Sequence, residues 1–174
     1  TVNGQEDFYS AFANSCNCAF ASIGVDLGGA SLRRTAEDLL FNKSLPLNAY
    51  RTSSFSLDKK SVTPLIMQTA IGQGNTLVSP MHMALITCAI ANDGVLMKPY
   101  LIDEVVNDSN DTVKKTEPVP YKRLMSSNEA NLLGKLMKQV VDSGTASSLS
   151  GRSYTVAGKT GSAEFDEEGH SHSW

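Results

Sequence analysis

The sequence predicts an α+β fold, and three observations support that class. Residues 1–98 carry apolar side chains mainly at helical spacing, residues 99–120 contain two short strand-like runs, and residues 151–174 contain a further strand after a long helix. Helices and strands are therefore segregated along the chain, whereas a parallel α/β sheet would alternate them. A length of 174 residues is enough to bury one core, so we treat 1–174 as a single domain.

The predicted helical part begins with two short helices that meet at a polar junction. Apolar residues recur at helical spacing over 7–13 and over 17–23, and Gly24 and the Gly28-Gly29 pair are expected to close the second helix. A third, amphipathic helix is predicted over 31–41. Residues 42–60 are rich in serine and asparagine and have no clean period, so we expect a loop there.

Two more helices are predicted where a hydroxyl residue precedes a proline. Thr63 is expected to cap a helix over 64–70, and Ser79 is expected to cap a helix over 81–91. The apolar residues of 81–91 occupy nearly every side of the helix. A helix of that kind is usually buried, so we expect it in the middle of the domain.

The second half of the chain predicts a hairpin and then a long helix. Residues 100–106 and 112–116 are strand-like, and the polar run 107–111 between them predicts the hairpin turn. Residues 121–150 contain the long helix and a connector. Ser126 and Glu129 have the spacing of a capping box, which places the start of the helix at Ser126 or Ser127, and the helix is expected to end near Ser143.

The last predicted element is a strand over 154–157 that continues through a glycine-rich segment into 162–165. A strand of this length would expose unpaired backbone groups along one edge. Such an edge can pair with another copy of the chain, so self-association is expected.

Charge and cysteine usage exclude several classes of protein. The chain has 15 basic and 18 acidic side chains, so nothing in its charge favours binding to a nucleic acid. Three cysteines do not suggest a disulfide framework. The chain lacks a run of about 18 apolar residues and a cationic leader, so we expect a soluble piece without a signal or transmembrane segment.

Lys159-Thr160-Gly161 is the first candidate for chemistry. An ammonium group and a hydroxyl group can hold a carboxylate, and glycine lets a substrate backbone lie close to the strand. The tripeptide occurs by chance in roughly one chain in twenty of this length. Its simpler interpretation is an exposed strand end with a solvated lysine.

Ser15-Cys16-Asn17 is the second candidate. It places a hydroxyl and a carboxamide at the break between two helices, where both side chains can face one cleft. Serine with asparagine is also typical of a helix cap. However, a polar break between phenylalanine-containing helices leaves polar groups near the core unless they have partners or a function.

The two motifs together resemble those of penicillin-binding proteins and serine β-lactamases, whose full set is Ser-x-x-Lys, Ser-x-Asn and Lys-Thr-Gly. The chain is most similar to the transpeptidase domain of a class B penicillin-binding protein, and nearly its whole length is covered. Further stretches that match that family in wording and order are 19–21, 70–74, 78–84, 91–94, 98–100 and 158–164.

The resemblance implies a partial serine β-lactamase/D,D-peptidase-like fold, in which a helical cluster packs on an antiparallel sheet that is incomplete here. The nucleophilic Ser-x-x-Lys segment, expected upstream of Ser15, is missing. The one Ser-x-x-Lys match, Ser56 to Lys59, lies in the predicted loop. We interpret it as a chance match, because a catalytic Ser and Lys must share one helical face against the core.

The implied function is that of a peptidoglycan D,D-transpeptidase, which cross-links stem peptides ending in D-Ala-D-Ala through a serine acyl-enzyme and is a target of β-lactams. The chain alone is expected to be inactive. The parent protein is expected to be anchored in the membrane and to act on its extracytoplasmic face, without a metal or cofactor. A serine β-lactamase and a non-catalytic peptidoglycan or β-lactam sensor remain alternatives.

By resemblance, three residues are catalytic. Ser15 would relay a proton, Asn17 would hold the side-chain amide of the substrate, and Lys159 would supply positive potential and a proton route.

Three further residues would contact substrate or β-lactam in the same way. The Thr160 hydroxyl would bind the terminal carboxylate, Gly161 would lie along the ligand, and the Ser162 N–H would form half of the oxyanion hole.

Two histidine-containing features have simpler explanations. His170 and His172 lie close to Asp166, Glu167 and Glu168, which we interpret as a charged hairpin turn rather than a metal site. His82, on the predicted buried helix, is interpreted as a core histidine whose hydrogen bonds are satisfied.

Overall fold

The computed structural model describes residues 6–47, 52–164 and 168–173. It has five α-helices and six strands in these ranges, and the predicted α+β class is confirmed. The helices are α1 (Phe8–Ala13), α2 (Asn17–Asp38), α3 (Thr63–Ala70), α4 (Pro80–Ala91) and α5 (Ser127–Ser143), with a short 3₁₀ turn at Ser147–Leu149. The strands are β1 (Val95–Met97), β2 (Glu104–Val106), β3 (Thr112–Lys115), β4 (Pro120–Arg123), β5 (Ser162–Glu164) and β6 (Ser171–Ser173).

The strands form three separate antiparallel pairs, β1 with β4, β2 with β3 and β5 with β6. The predicted hairpin is the β2–β3 pair, although β2 begins at Glu104 rather than at Tyr100. The β1–β4 pair was not predicted. β1 has only three residues, which is too short to produce a readable alternation of apolar and polar side chains.

The main hydrophobic core lies between the C-terminal end of α2, one face of α4, and β1. Its fully buried centre includes Ala89 and Leu96. His82 is completely buried beside Phe41, and its Nε2–H donates to the Leu39 carbonyl over 2.7 Å. His82 is therefore a core histidine, as predicted, but only Nε2 is bonded: its buried Nδ1 has no hydrogen-bond partner among the described residues, so the expectation that its hydrogen bonds are satisfied was wrong.

Helix α4 is buried on one face only. His82, Leu85, Ile86 and Ala89 face the core, whereas Met83 is 38% exposed. The prediction that this helix lies in the middle of the domain was wrong for its outer face, which is exposed. The outward positions are occupied largely by small side chains, at Ala84, Thr87, Cys88 and Ala91, which leave little apolar surface to be covered.

The predicted helices 17–23 and 31–41 belong to one element, α2. It does not end at Gly24 but is broken at Gly28, one of the glycines expected to close the first of these helices. Gly28 has φ 76° and ψ 156°, outside the helical region. Gly24 stays within the helix, because its missing side chain allows Ala70 of α3 to pack against it. The element ends at Asp38, not at Phe41, since Leu40 has a positive φ.

Helix starts follow the sequence at α4 and α5 but not at α3. The Ser79 hydroxyl accepts from the His82 N–H, and Ser126 and Glu129 form the reciprocal capping box. At α3 the cap position is occupied by Val62, which has no capping side chain. The prediction that Thr63 caps this helix was wrong, because Thr63 already lies inside the first turn.

A second apolar cluster joins α5 to α1 and to the chain before β5. Val140 and Val141 are its buried centre, with Phe12 and Val156 packed against them. The helix end is in close contact with α1, since a Cβ at Gly144 would overlap the Ala13 carbonyl oxygen. This cluster packs the end of α5 against α1 and against the chain just before Lys159 and β5.

The predicted strand over 154–157 is not formed. Residues 154–161 have no regular structure, and strand β5 covers only Ser162–Glu164, while Phe165 lies outside the described residues. The Gly158 N–H donates to the Met137 carbonyl of α5 over 3.1 Å. This backbone group therefore bonds to a helix, where a strand would have required a neighbouring strand.

None of the helices in the described ranges combines the length and the apolar character required to cross a bilayer.

Candidate active site

Ser15 lies in a tight turn between α1 and α2. Its φ is 55°, a left-handed conformation that is uncommon for residues other than glycine. The turn is closed by local bonds, since the Ser15 N–H donates to the Phe12 carbonyl and the Cys16 N–H donates to the Ala11 carbonyl. The polar break in the helical pattern is thus a defined turn.

Lys159 joins this turn from the other end of the sequence. Its Nζ donates to the Ser15 hydroxyl oxygen over 2.8 Å and to the Thr160 carbonyl over 2.9 Å. The same Nζ lies 5.8 Å from the centre of the Phe12 ring. Burial lowers the pKa of Lys159 from its usual 10.5, because the ammonium form is partly removed from water.

Thr160 makes a contact that the sequence did not indicate. Its hydroxyl oxygen lies 2.5 Å from that of Thr145, in the connector that follows α5. Thr145 also donates its N–H to the Ala13 carbonyl over 3.1 Å. Sequence analysis missed Thr145, because its place in the site depends entirely on contacts with residues that are distant in the chain.

Asn17 is the first residue of α2, and its side chain is exposed. Within the described part of the chain, its carboxamide makes no hydrogen bond to Ser15 or Lys159. Asn17 instead borders an open apolar groove of about 670 Å³ between α2 and α3, which Met67 and Ile71 also line. Its carboxamide is therefore available to an external group.

Ser162 begins strand β5, which pairs with β6 on one side. The Gln73 carboxamide faces the backbone of Glu164. In the orientation that satisfies both groups, its nitrogen donates to the Glu164 carbonyl and its oxygen accepts from the Glu164 N–H, both over 3.3 Å. Backbone groups two residues apart in a strand point to the same edge. The N–H of Ser162 therefore faces the edge that β6 does not occupy. Gln73 was not predicted as part of this region.

The Ser56 to Lys59 segment lies in a loop, as predicted. Both side chains are exposed, and the buried member of the segment is Leu57. The proposed charged turn before His170 cannot be described in full, because Asp166 and Glu167 lie outside the described residues, so that interpretation stays a prediction.

Comparison with known proteins decides the family. The model of the penicillin-binding protein transpeptidase domain matches residues 1–174. The chain belongs to this family. The resemblance inferred from the two motifs is therefore confirmed, together with the fold class that it implied.

Curated and solved relatives agree with this assignment. The peptidoglycan D,D-transpeptidase PbpA of Mycolicibacterium smegmatis is 29% identical over 180 residues, covering 100% of the chain and 35% of the relative. The D,D-transpeptidase domain of a peptidoglycan glycosyltransferase from Eggerthella lenta superposes with a TM-score of 0.85 at 29% identity, covering 99% of this chain and 45% of that one.

A third relative is the imipenem acyl-enzyme of penicillin-binding protein A from M. tuberculosis, with a TM-score of 0.80 and 26% identity. The match covers 94% of this chain and 38% of the relative. This chain spans between 25% and 35% of the length of three curated relatives.

Proposed function

We propose that this chain forms the rear and one wall of the cleft of a peptidoglycan D,D-transpeptidase that β-lactams inhibit. The observation that carries the proposal is the 2.8 Å bond from Lys159 Nζ to the Ser15 hydroxyl, which joins residues 144 positions apart. The acyl-enzyme of the M. tuberculosis relative supports the β-lactam part. We treat 1–174 as one partial transpeptidase domain.

The proposed reaction is acyl transfer through a serine that this chain does not contain. The serine oxygen attacks the carbonyl of the penultimate D-Ala, the C–N bond breaks, and D-Ala leaves as an amine that takes up the serine proton. An amine of a second stem peptide then attacks the ester, which transfers the acyl group and releases the serine with a proton.

Ser15 is proposed to relay the proton in both steps. Because Lys159 donates to its oxygen, the hydroxyl hydrogen of Ser15 is free to point to another acceptor. Lys159 adds positive potential where negative charge develops. Asn17, whose exposed carboxamide is available, is proposed to hold the side-chain amide of the substrate.

Three residues of the segment from Gly158 to Glu164, which we call the strand side of the site, are proposed to bind the substrate. The Thr160 hydroxyl donates to the terminal carboxylate, and Gly161 leaves room for the ligand backbone. The Ser162 N–H, on the edge of β5 that β6 leaves open, donates to the oxyanion. The second oxyanion donor is proposed to be the N–H of the absent serine.

The proposed partners are stem peptides ending in D-Ala-D-Ala and β-lactam antibiotics. Stem peptides belong to the cell wall, so the full-length protein is proposed to act on the extracytoplasmic face of the cell membrane, held there by a membrane anchor. Reading the sequence upstream of residue 1 tests this proposal directly. A Ser-x-x-Lys motif after a membrane anchor supports it, a secretory signal alone favours a β-lactamase, and loss of the serine favours a sensor.

A labelling experiment tests where the nucleophile lies. We expect the 174-residue chain to form no covalent adduct with a fluorescent penicillin, because its exposed Ser56 is in a loop and not on a buried helix. A missing oxyanion donor alone slows such reactions by about 10²–10³-fold. Stoichiometric labelling that Ser56→Ala abolishes would mean that Ser56 is the nucleophile.

A second experiment tests Lys159 in the full-length protein. Lys159→Ala should slow acylation by penicillin far more than Lys43→Ala or Lys135→Ala. Lys43 is a matched control, because its Nζ also donates to a backbone carbonyl, that of Glu37, but at an exposed position. Equal acylation rates in the three variants would remove Lys159 from the site.

Self-association of the isolated chain is also proposed, on a changed basis. The long strand edge expected over 154–165 is replaced by the three-residue strand β5. Its support is now the apolar area that contact between copies would cover, at side chains such as Leu101, which is 98% exposed, and Leu77, which is 69% exposed. A clean monomer in sedimentation at high concentration would contradict this proposal.

A further inference from the structure

We propose that Thr145 is a positioning residue that directs the hydroxyl hydrogen of Thr160 into the cleft. The inference rests on the proposed function, in which Thr160 binds a substrate carboxylate. It adds a residue outside the three motifs of the cleft. Its basis is the 2.5 Å contact between the two threonine hydroxyls and the way in which Thr145 is held.

The hydroxyl pair has only one arrangement that serves an anion. Each threonine hydroxyl carries one hydrogen and can also accept. When a carboxylate lies against Thr160, the Thr160 hydrogen is drawn to the anion, because a carboxylate is the stronger acceptor. Thr145 is then the donor to the Thr160 oxygen. The resulting series of hydrogen bonds, from Thr145 through Thr160 to the carboxylate, polarises both hydroxyls in the same direction.

The position of Thr145 is fixed by its backbone. Its N–H donates to the Ala13 carbonyl over 3.1 Å, two residues before Ser15. The preceding Gly144 contacts the same carbonyl so closely that a side chain there would overlap it. The following Ala146 is buried, and its N–H donates to the Val140 carbonyl over 3.1 Å. The backbone of Thr145 therefore holds the base of its side chain beside Thr160.

Thr145 consequently connects the two sides of the site. Its main chain is bonded to the end of α1, which carries the Ser15 turn, and its side chain is bonded to the strand side at Thr160. Lys159 makes a second connection between the same two sides through Ser15. The Lys159 connection supplies charge, whereas the Thr145 connection sets the direction of a neutral donor.

The test compares Thr145→Val with Thr145→Ser in the full-length protein. Valine has nearly the same shape and keeps the backbone N–H, but it has no hydroxyl. Serine keeps the hydroxyl. Thr87→Val is the matched control, because the Thr87 hydroxyl bonds only to the Met83 carbonyl of its own exposed helix face. The readout is the second-order rate of acylation by a fluorescent penicillin and by the methyl ester of its carboxylate.

Thr145→Val should lower acylation by the free carboxylate about fivefold to tenfold, the effect of one hydrogen bond. Acylation by the methyl ester should change less than twofold, because an ester oxygen is a poor partner for the directed donor. Thr145→Ser and Thr87→Val should both retain the wild-type preference for the free carboxylate. Melting curves of the Thr145 variants should coincide.

The other possible outcomes distinguish a failure of the positioning role from a failure of the proposed function. Equal losses with penicillin and its ester would mean that Thr145 acts on the structure and not on carboxylate recognition. A Thr145→Ser variant as slow as Thr145→Val, or a Thr145→Val variant as fast as wild type, would overturn the positioning role alone. If the wild-type protein were not acylated at all, the proposed function would fail and this role would fail with it.

Discussion

The two sides of the candidate site are held in different ways. The backbone of the Ser15 turn is closed by bonds from Ser15 and Cys16 to residues at most five positions away, at Phe12 and Ala11. The strand side, from Gly158 to Glu164, is instead fixed by bonds to distant residues on several elements. Those bonds reach Met137 on α5, Thr145 after α5, Gln73 after α3, and Ser15 itself.

This difference has a physical consequence. A local turn keeps its shape as long as its own residues permit, whereas the strand side takes its shape from the elements that surround it. A substitution at the end of α5 should therefore disturb the strand side without changing any residue of the three motifs. Substitutions in the Ser15 turn should act through local backbone conformation.

The largest effect is expected for Gly144→Ala, which tests the dependence on α5. The added Cβ overlaps the Ala13 backbone oxygen, so either the connector or α1 must move. We expect the free energy of unfolding to fall by about 2–3 kcal/mol, the upper part of the range of about 1–3 kcal/mol for overpacking a filled site. Urea unfolding of the chain measures this change.

Gly134→Ala in the same helix is the control. Gly134 has no neighbouring atom near the position of a Cβ, so alanine should stabilise the chain by about 0.5–1 kcal/mol through helix propensity. If the two variants unfolded at the same urea concentration, the contact between the α5 end and α1 would carry no energy.

The same difference explains what the sequence could and could not predict. Helix α5 was predicted with its capping box because Ser126 and Glu129 are neighbours in the chain. A strand was wrongly predicted over 154–157, because periodicity contains no information about the bond from Gly158 to Met137. Tyr154 is 68% exposed and has no strand partner to cover it.

The site residues likewise divide into those that the sequence indicated and those that it did not. The Ser15 turn produced a visible signal, since it breaks an apolar helical pattern with polar residues. Lys159 and Thr160 were recognised through their tripeptide and the resemblance to a family. Thr145 and Gln73 produced no signal, because each takes part only through a contact with a residue far away in the sequence. The predicted roles of the motif residues stay predictions until variants are measured.

The second prediction sharpens the local side of the comparison. Ser15 has φ 55°, which costs an L-residue about 1–2 kcal/mol but costs glycine almost nothing. Ser15→Gly should therefore be about 1 kcal/mol more stable than Ser15→Ala, although both lose the hydroxyl that Lys159 contacts. Urea midpoints of the two variants provide the measurement. An alanine variant as stable as the glycine variant would mean that the turn relaxes.

A third, similar-sized effect is expected at the edge of β5. Gln73→Ala removes the acceptor of the Glu164 N–H and the donor to its carbonyl. Hydrogen exchange of the Glu164 amide should become up to about tenfold faster, which is the effect of one hydrogen bond. Gln139→Ala is the control, because the Gln139 amide bonds only to Ser143 on its own helix. Unchanged exchange at Glu164 would show that this edge is protected by other groups.

The smallest effect is expected at Lys159, where the two sides meet, and it depends on pH. Burial lowers the native pKa of Lys159 below the usual 10.5. Between the native pKa and 10.5, the unfolded chain binds more protons than the native chain, so the contribution of Lys159 to stability rises with pH. The cost of the buried ammonium is present below this window and is relieved as the proton leaves.

The bond from Lys159 to Ser15 survives deprotonation, because a neutral amine still donates. The difference in unfolding free energy between wild type and Lys159→Met should therefore shift in favour of the wild type as pH increases through this window. A difference that stays constant or moves the other way would mean that the ammonium is stabilised by its partners, and that the two sides are joined by charge more than by packing.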